Sequence, residues 1–295
     1  MREYQLFSDS ACDLPESLRK EFRIELIPFY VSFDQETYYK ENLEITQESF
    51  YETLSKKNVF ARTSLPSVQD YIQAFRPFLK EGKDVICLCL TQKLSGSYKS
   101  AMNAKQILEE QFPNAEIYII DSIQATAAQG MLLLQMAQLQ RARLTASELV
   151  AATDRLKTTA RIMFTVDTLD YLTQGRRIGK VNALAKDMLD LKPLIQLKEA
   201  ELIPYSNIRG RKNSLDKLVE MVGEYFKEQN ENPADYAFGI VNATTLPDAQ
   251  YLQKQVEQFI GHNLVYPIFR IGVTIGTYTG PGAIGVCFVK KHDKL

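Results

Sequence analysis

Within Thr63-Ser64-Leu65-Pro66-Ser67 stand three hydroxyls, although the helix that follows needs only one to start it. Val68, Tyr71, Ile72 and Phe75 recur at three- and four-residue spacings, which predicts a single apolar helical face. Ser67 is placed to cap that helix, with Asp70 in its positive first turn. Thr63 and Ser64 are left over, to bond their own loop or to hold a ligand. Ser95-Gly96-Ser97 repeats the arrangement ahead of a second helix, with Ser97 as the cap and Ser95 surplus. A spare hydroxyl at each of two such loops suits a carboxylate or phosphate bound without a buried lysine.

Other polar clusters divide between structure and chemistry. Asp13-x-x-Glu16 with Pro15 in the first turn is a helix-start signal, so Asp13 reads as a cap rather than a metal ligand or general acid. Asp9 and Ser10, in the same segment, read as residues shaping a pocket rim. Arg209, Arg211 and Lys212 gather at a predicted helix start, where the macrodipole opposes positive charge. They form either a solvated basic face or a site for a phosphate or an acidic protein surface. Gly280 and Gly282 permit a tight turn, and the adjoining Tyr278 and Thr279 either belong to it or face the pocket.

Several function classes are disfavoured. His262 and His292 are the only histidines, which leaves few candidates for a triad or an imidazole metal site. Cys12, Cys87, Cys89 and Cys287 match neither a disulfide framework nor a CxxC zinc pattern. The loop around Ser95 lacks both the nucleotide phosphate-loop spacing and Gly-x-Ser-x-Gly. A net charge of −1 gives no field to draw nucleic acid. The apolar runs are strand-sized and the first residues lack a signal-peptide core, so a cytoplasmic location without stable membrane insertion is expected.

Three times in the first half an apolar run leads through a hydroxyl-bearing loop into a helical pattern: after "YQLF", after "DVICLCL" and after "EIYIID". Continuous apolar strands separated by helices predict a mostly parallel sheet covered on both faces. Its loops gather at one edge, which brings Ser8, Ser10, Ser95, Ser97 and Ser122 there, and Thr63 with Ser64 from a neighbouring loop. "LIPFYVSFDQETYYKEN" reads as a hairpin beside the sheet. Past residue 160 the pattern becomes hairpin, helix, strand, helix, and then two strand-like runs, "YPIFRIGVTIG" and "AIGVCFVKK". The expected fold is α/β: an N-terminal domain, residues 1–160, and an α+β C-terminal domain, residues 161–295.

In order along the chain, "SDSACDLP", "TSLPS", "LSGSYKSA", "IDSIQATAAQG", "VDTLDYLTQGRRIGK", "LKPLI", "IRGRK" and "TGPGAIG" resemble the motifs of the bacterial DegV family. That resemblance implies binding of a long-chain fatty acid such as palmitate, stearate or oleate, its tail buried and its carboxylate near the surface. It implies that Thr63 and Ser95 hydrogen-bond the carboxylate; the loop and turn residues Ser10, Ser64, Tyr278, Thr279 and Gly280 are the candidates for the rest of the pocket. It also implies a partner, the ATP-binding subunit of a fatty acid kinase, which would make an acyl-phosphate for phospholipid synthesis; Arg177, Arg209 and Arg211 are candidate contacts with that subunit or the transferring phosphate. Two positions depart from the family pattern: Tyr278 stands where histidine is common, and Gly179 replaces a hydroxyl. The expectation is a lipid carrier with no catalytic residue, metal or cofactor of its own. The competing readings are a small-molecule acyl or phosphoryl transferase using the same crevice and a protein-interaction module built on the arginines.

Overall fold

The computed structural model describes residues 2–57, 59–184 and 190–295. Asn58, at the head of the segment before Thr63, lies outside them. Strands β1 (Tyr4–Asp9), β2 (Glu25–Ile27), β6 (Asp84–Cys89) and β7 (Ile117–Asp121) form a parallel sheet in the order β2-β1-β6-β7. β3 (Tyr30–Ser32), β4 (Tyr39–Lys40) and β5 (Arg62–Ser64) make a small antiparallel sheet beside it, ordered β4-β3-β5. The expected hairpin is therefore present, with Thr63 added as part of a third strand rather than carried by a loop.

Strand periodicity explains how the parallel sheet is covered. Phe7, Val85 and Cys87 pack with Tyr71 and Phe75 of helix Val68–Lys80 and with Ala101 and Ala104 of helix Ser97–Gln111. The alternate residues Leu6, Ile86 and Leu88 face the opposite way, into the core with helix Thr126–Arg141. That helix is buried almost all round, which is why its sequence shows little amphipathic contrast.

β8 (Arg161–Thr165), β9 (Leu191–Lys198), β10 (Glu201–Arg209), β11 (Tyr236–Asn242), β12 (Phe269–Arg270) and β13 (Ile284–Lys290) form a mixed sheet ordered β10-β9-β8-β13-β11-β12. Met163, Phe238, Val286 and Phe288 pack beneath helices Arg211–Gln229 and Leu246–Ile260. Ile162, Phe164, Val241 and Cys287 face the core shared with the first half. Helix Thr126–Arg141 thus lies between the two large sheets, and one apolar core runs through both halves.

"YPIFRIGVTIG" is not one strand. After the short β12 the chain turns at Gly272 into helix Val273–Thr279, which buries Val273, Thr274, Gly276 and Thr277. Its β-branched residues read as strand, but packing overrides that local preference. Gly276 leaves room for Tyr51, which a side chain would strike. Tyr278 and Thr279 consequently end a helix, and the turn follows at Gly280, whose φ is +73°.

Candidate functional site

A slender apolar slot lies between the two large sheets, with a volume of about 80 Å³ traced by the centre of a water-sized sphere. Ile162, Phe164, Leu197 and Val241, on strands of the mixed sheet, line one side. Leu90, Leu94, Ala125 and Thr126, from loops and a helix start beyond the parallel strands, line the other. Helix Val273–Thr279 adds Thr274, Ile275, Tyr278 and Thr279. The polar groups are few: Thr63, Ser95, Thr126, Arg177, Thr274, Tyr278 and Thr279.

Thr63 Oγ1 and Tyr278 Oη lie 2.6 Å apart, so these two hydroxyls share one hydrogen bond and keep one proton between them for another acceptor. The Arg177 guanidinium stacks over the Tyr278 ring, 4.6 Å from its centroid. Arg177 also donates to the Gly175 carbonyl at 2.6 Å and to the Leu94 carbonyl at 3.5 Å. Glycine is required at 175 because a Cβ would enter the Tyr278 ring, and at 280 because a Cβ would enter the Tyr171 ring. The slot therefore offers two free hydroxyl protons, one shared by Thr63 and Tyr278 and one on Ser95, and one guanidinium held by backbone and ring, a set of donors suited to a single carboxylate.

The two spare hydroxyls arise differently from the expectation. Ser67 does cap its helix, in a reciprocal capping box with Asp70. At the second loop Gly96 occupies the N-cap position, and Ser97 lies inside the helix with its hydroxyl donated to Asp9 Oδ2 at 2.8 Å. Ser95 Oγ instead accepts the Ser97 amide at 3.2 Å, so its proton remains available toward the slot. Asp13 is no cap either: the helix Glu16–Glu21 starts at Pro15 without a side-chain cap, and Asp13 is buried, accepting from Thr126 Oγ1 at 2.5 Å.

Of the residues singled out from the sequence, Thr63, Ser95, Arg177, Tyr278 and Thr279 share this slot. Ser10 lines a different cavity and donates to Glu41 Oε2 at 2.6 Å. Ser64 is exposed on β5, and Gly280 shapes the turn rather than lining the slot. Ser8 and Ser122 are internal, bonded to the carbonyls of Leu88 and Gln124. Arg209 is exposed at the end of β10. Arg211 donates to Asp248 and the Gly282 carbonyl, each at 2.8 Å, and to Thr245 Oγ1 at 3.1 Å, which offsets the adverse helix dipole. Gly179, at φ +46°, has open space around its Cβ position.

Asp9 was legible only as a rim residue, yet it organises the Ser95 loop. Its carboxylate accepts from the Leu90 amide, Ser97 Oγ and Gln129 Nε2 at 2.8 to 3.0 Å. Complete burial pushes its pKa up to about 6 despite those donors. All four cysteines are buried and free, and among the described residues no cluster of three or more His, Cys, Asp or Glu side chains could hold a metal. No helix among the described residues is long and apolar enough to cross a membrane.

Comparison with known proteins agrees with this architecture. The model of the family described as "Uncharacterised protein, DegV family" matches residues 3–291. A DegV domain-containing protein of Clostridium perfringens is 30% identical over 293 residues, covering 98% of each chain. A solved structure described as a stearic acid-binding protein of Eubacterium ventriosum superposes with a TM-score of 0.92 at 33% identity, over 99% of this chain and all (100%) of that one. A DegV family protein of Thermus thermophilus, described for its fatty acid binding, gives a TM-score of 0.87 at 27% identity, over 98% of this chain and 100% of its own.

Proposed function

The chain belongs to the DegV family, and we propose that its slot holds one long-chain fatty acid with the carboxylate at Thr63, Ser95 and Arg177. The observation that carries this reading is the form of the slot: apolar along its length, with its few hydroxyls and one stacked arginine at hand for a single anionic end. Each buried methylene contributes about 0.8 kcal/mol, so the tail sets the affinity. A head-group hydrogen bond contributes roughly 1 kcal/mol, and so sets mainly which end faces outward.

The finer assignment is a cytoplasmic carrier that presents the carboxylate to an ATP-binding kinase subunit, which makes the acyl-phosphate used in phospholipid synthesis. A head group held chiefly by hydroxyls supports it, because Arg177 is only part-buried and already shared with the Tyr278 ring and two backbone carbonyls, so the carboxylate can keep one oxygen open to a phosphoryl donor and still be released. Absence of a phosphate-loop motif from the sequence favours a carrier over a complete kinase. Residues 1–160 would supply the carboxylate loops and 161–295 would enclose the chain, with exposed Arg209 available to the partner and Arg211 bracing the loop near it.

Two assays test this. Palmitate or oleate should displace a fluorescent fatty acid from the protein at one site per chain. Incubation with ATP and oleate should give acyl-phosphate only when an ATP-binding kinase subunit is added. Product formed by this protein alone would replace the carrier reading with that of a transferase.

A further inference from the structure

Behind the slot lies a second, polar cavity of about 440 Å³ on the same measure, lined by Ser10, Asp13, Glu41, Glu48 and Arg270 among others. Asp13 and Glu41 form the wall between the two. Thr126 and Thr274, which line the slot, reach through that wall: Thr126 Oγ1 donates to Asp13 Oδ2 at 2.5 Å, and Thr274 Oγ1 donates to Glu41 Oε2 at 2.6 Å. Both acids lie against Gly272. A Cβ there would stand 2.5 Å from both Asp13 Oδ1 and Glu41 Oε1, so only glycine leaves room for the two acids.

The two carboxyls are provided for unequally. Glu41, 1% exposed, accepts from Ser10 Oγ, Thr274 Oγ1 and the Thr274 amide at 2.6 to 3.1 Å. Asp13, 6% exposed, accepts one side-chain hydrogen bond, from Thr126, and its Oδ1 is buried against the Gly272 backbone without a well-formed hydrogen bond. Neither carboxyl forms an ion pair among the described residues. The surrounding ionisable groups are Asp9 and Cys12 on the preceding segment, Tyr51, Cys287 and Arg270, with Glu16, Arg19 and Glu48 at the cavity rim. Arg270 is turned to Glu48.

From this asymmetry we infer that Asp13 and Glu41 hold one proton between them, on Asp13, and that losing it loosens helix Val273–Thr279 and weakens ligand retention. Two buried like charges beside one glycine cannot both be ionised cheaply, and the better-solvated partner keeps the charge. Burial and the neighbouring Glu41 charge both push the Asp13 pKa well up, in agreement. The proton leaves to water through the second cavity. A second negative charge then faces Glu41 across Gly272, at the start of the helix that carries Thr274, Ile275 and Tyr278 into the slot. The link to retention rests on the fatty-acid reading; the protonation itself does not.

Isotope-edited infrared spectroscopy of the ligand-free protein, with labelled aspartate, reads the proton directly. A buried, protonated carboxylic acid band at neutral pH that disappears in Asp13→Asn and persists in Asp9→Asn supports the inference; its absence from the wild-type protein overturns it. Fatty acid affinity is then measured at rising pH above neutrality, where the free ligand is already ionised. Wild type should weaken by up to about tenfold per pH unit once Asp13 titrates, the limit for one linked proton, and Asp13→Asn should not. A pH dependence equally steep in Asp13→Asn overturns the coupling even if the band is found. Failure of both proteins to bind any fatty acid would fall on the proposed function and leave the infrared result standing.

Discussion

The slot and the cavity behind it share a wall but are built from opposite materials. The slot is lined by Ile, Leu, Val and Phe side chains, with polar groups few enough to name singly. The second cavity holds buried carboxyls against hydroxyls and backbone amides. The first can receive a hydrocarbon because it offers nothing to hydrate; the second must satisfy its own charges before it can do anything else. Thr126 and Thr274 serve both, lining the slot while each gives its hydroxyl proton to an acid.

The largest expected difference between the regions comes from charge. Leu197→Asp places an uncompensated carboxylate in the slot and should cost roughly 3–5 kcal/mol of stability, with loss of fatty acid binding. Asp13→Asn, at a site already built around an acid, should change stability by about 1 kcal/mol or less if Asp13 is neutral. Urea denaturation of both variants makes the comparison, and equal losses would remove the distinction.

Asp9 offers a pH test. Burial raises its folded pKa to about 6 from the ordinary 3.8, so the folded state binds the proton more tightly than the unfolded chain. Its contribution to stability is therefore full below the unfolded pKa and is lost as pH rises through about 6. The shift corresponds to an order of 2–3 kcal/mol. Stability of wild type minus that of Asp9→Asn, followed from pH 4 to 7, should fall across that window; a flat difference would place the titration elsewhere.

Gly175→Ala drives a methyl group into the Tyr278 ring. Overpacking of this kind costs about 1–3 kcal/mol. Calorimetry should show that loss together with weakened binding, because the ring it displaces supports both Thr63 and Arg177. Smallest of all, Thr63→Val and Ser95→Ala should each weaken fatty acid binding by about fivefold, roughly 1 kcal/mol, with the melting temperature little changed. Unchanged affinity in both would take these residues out of the head-group site.

Much of the first region was readable in the sequence. Continuous apolar strands followed by hydroxyl-bearing loops predicted a parallel sheet, and counting hydroxyls against caps singled out Thr63 and Ser95. Both now lie on one slot. The second region was not readable. Glu41 sits in the polar run Tyr39-Lys40-Glu41-Asn42, and nothing in its neighbours says that it will be buried. Asp13 mimics a helix cap, and Val273, Thr274 and Ile275 mimic a strand; each local preference yields to a contact made across the fold. Strand and helix period report apolar packing, whereas a buried acid is placed by partners far along the chain, such as Thr126 and Thr274.

Native mass spectrometry of the protein purified from bacteria, followed by extraction and lipid identification, tests the central claim most directly. One long-chain fatty acid per chain, lost from Leu197→Asp, is the result predicted. An empty wild-type protein that also fails to take up added palmitate or oleate would contradict it.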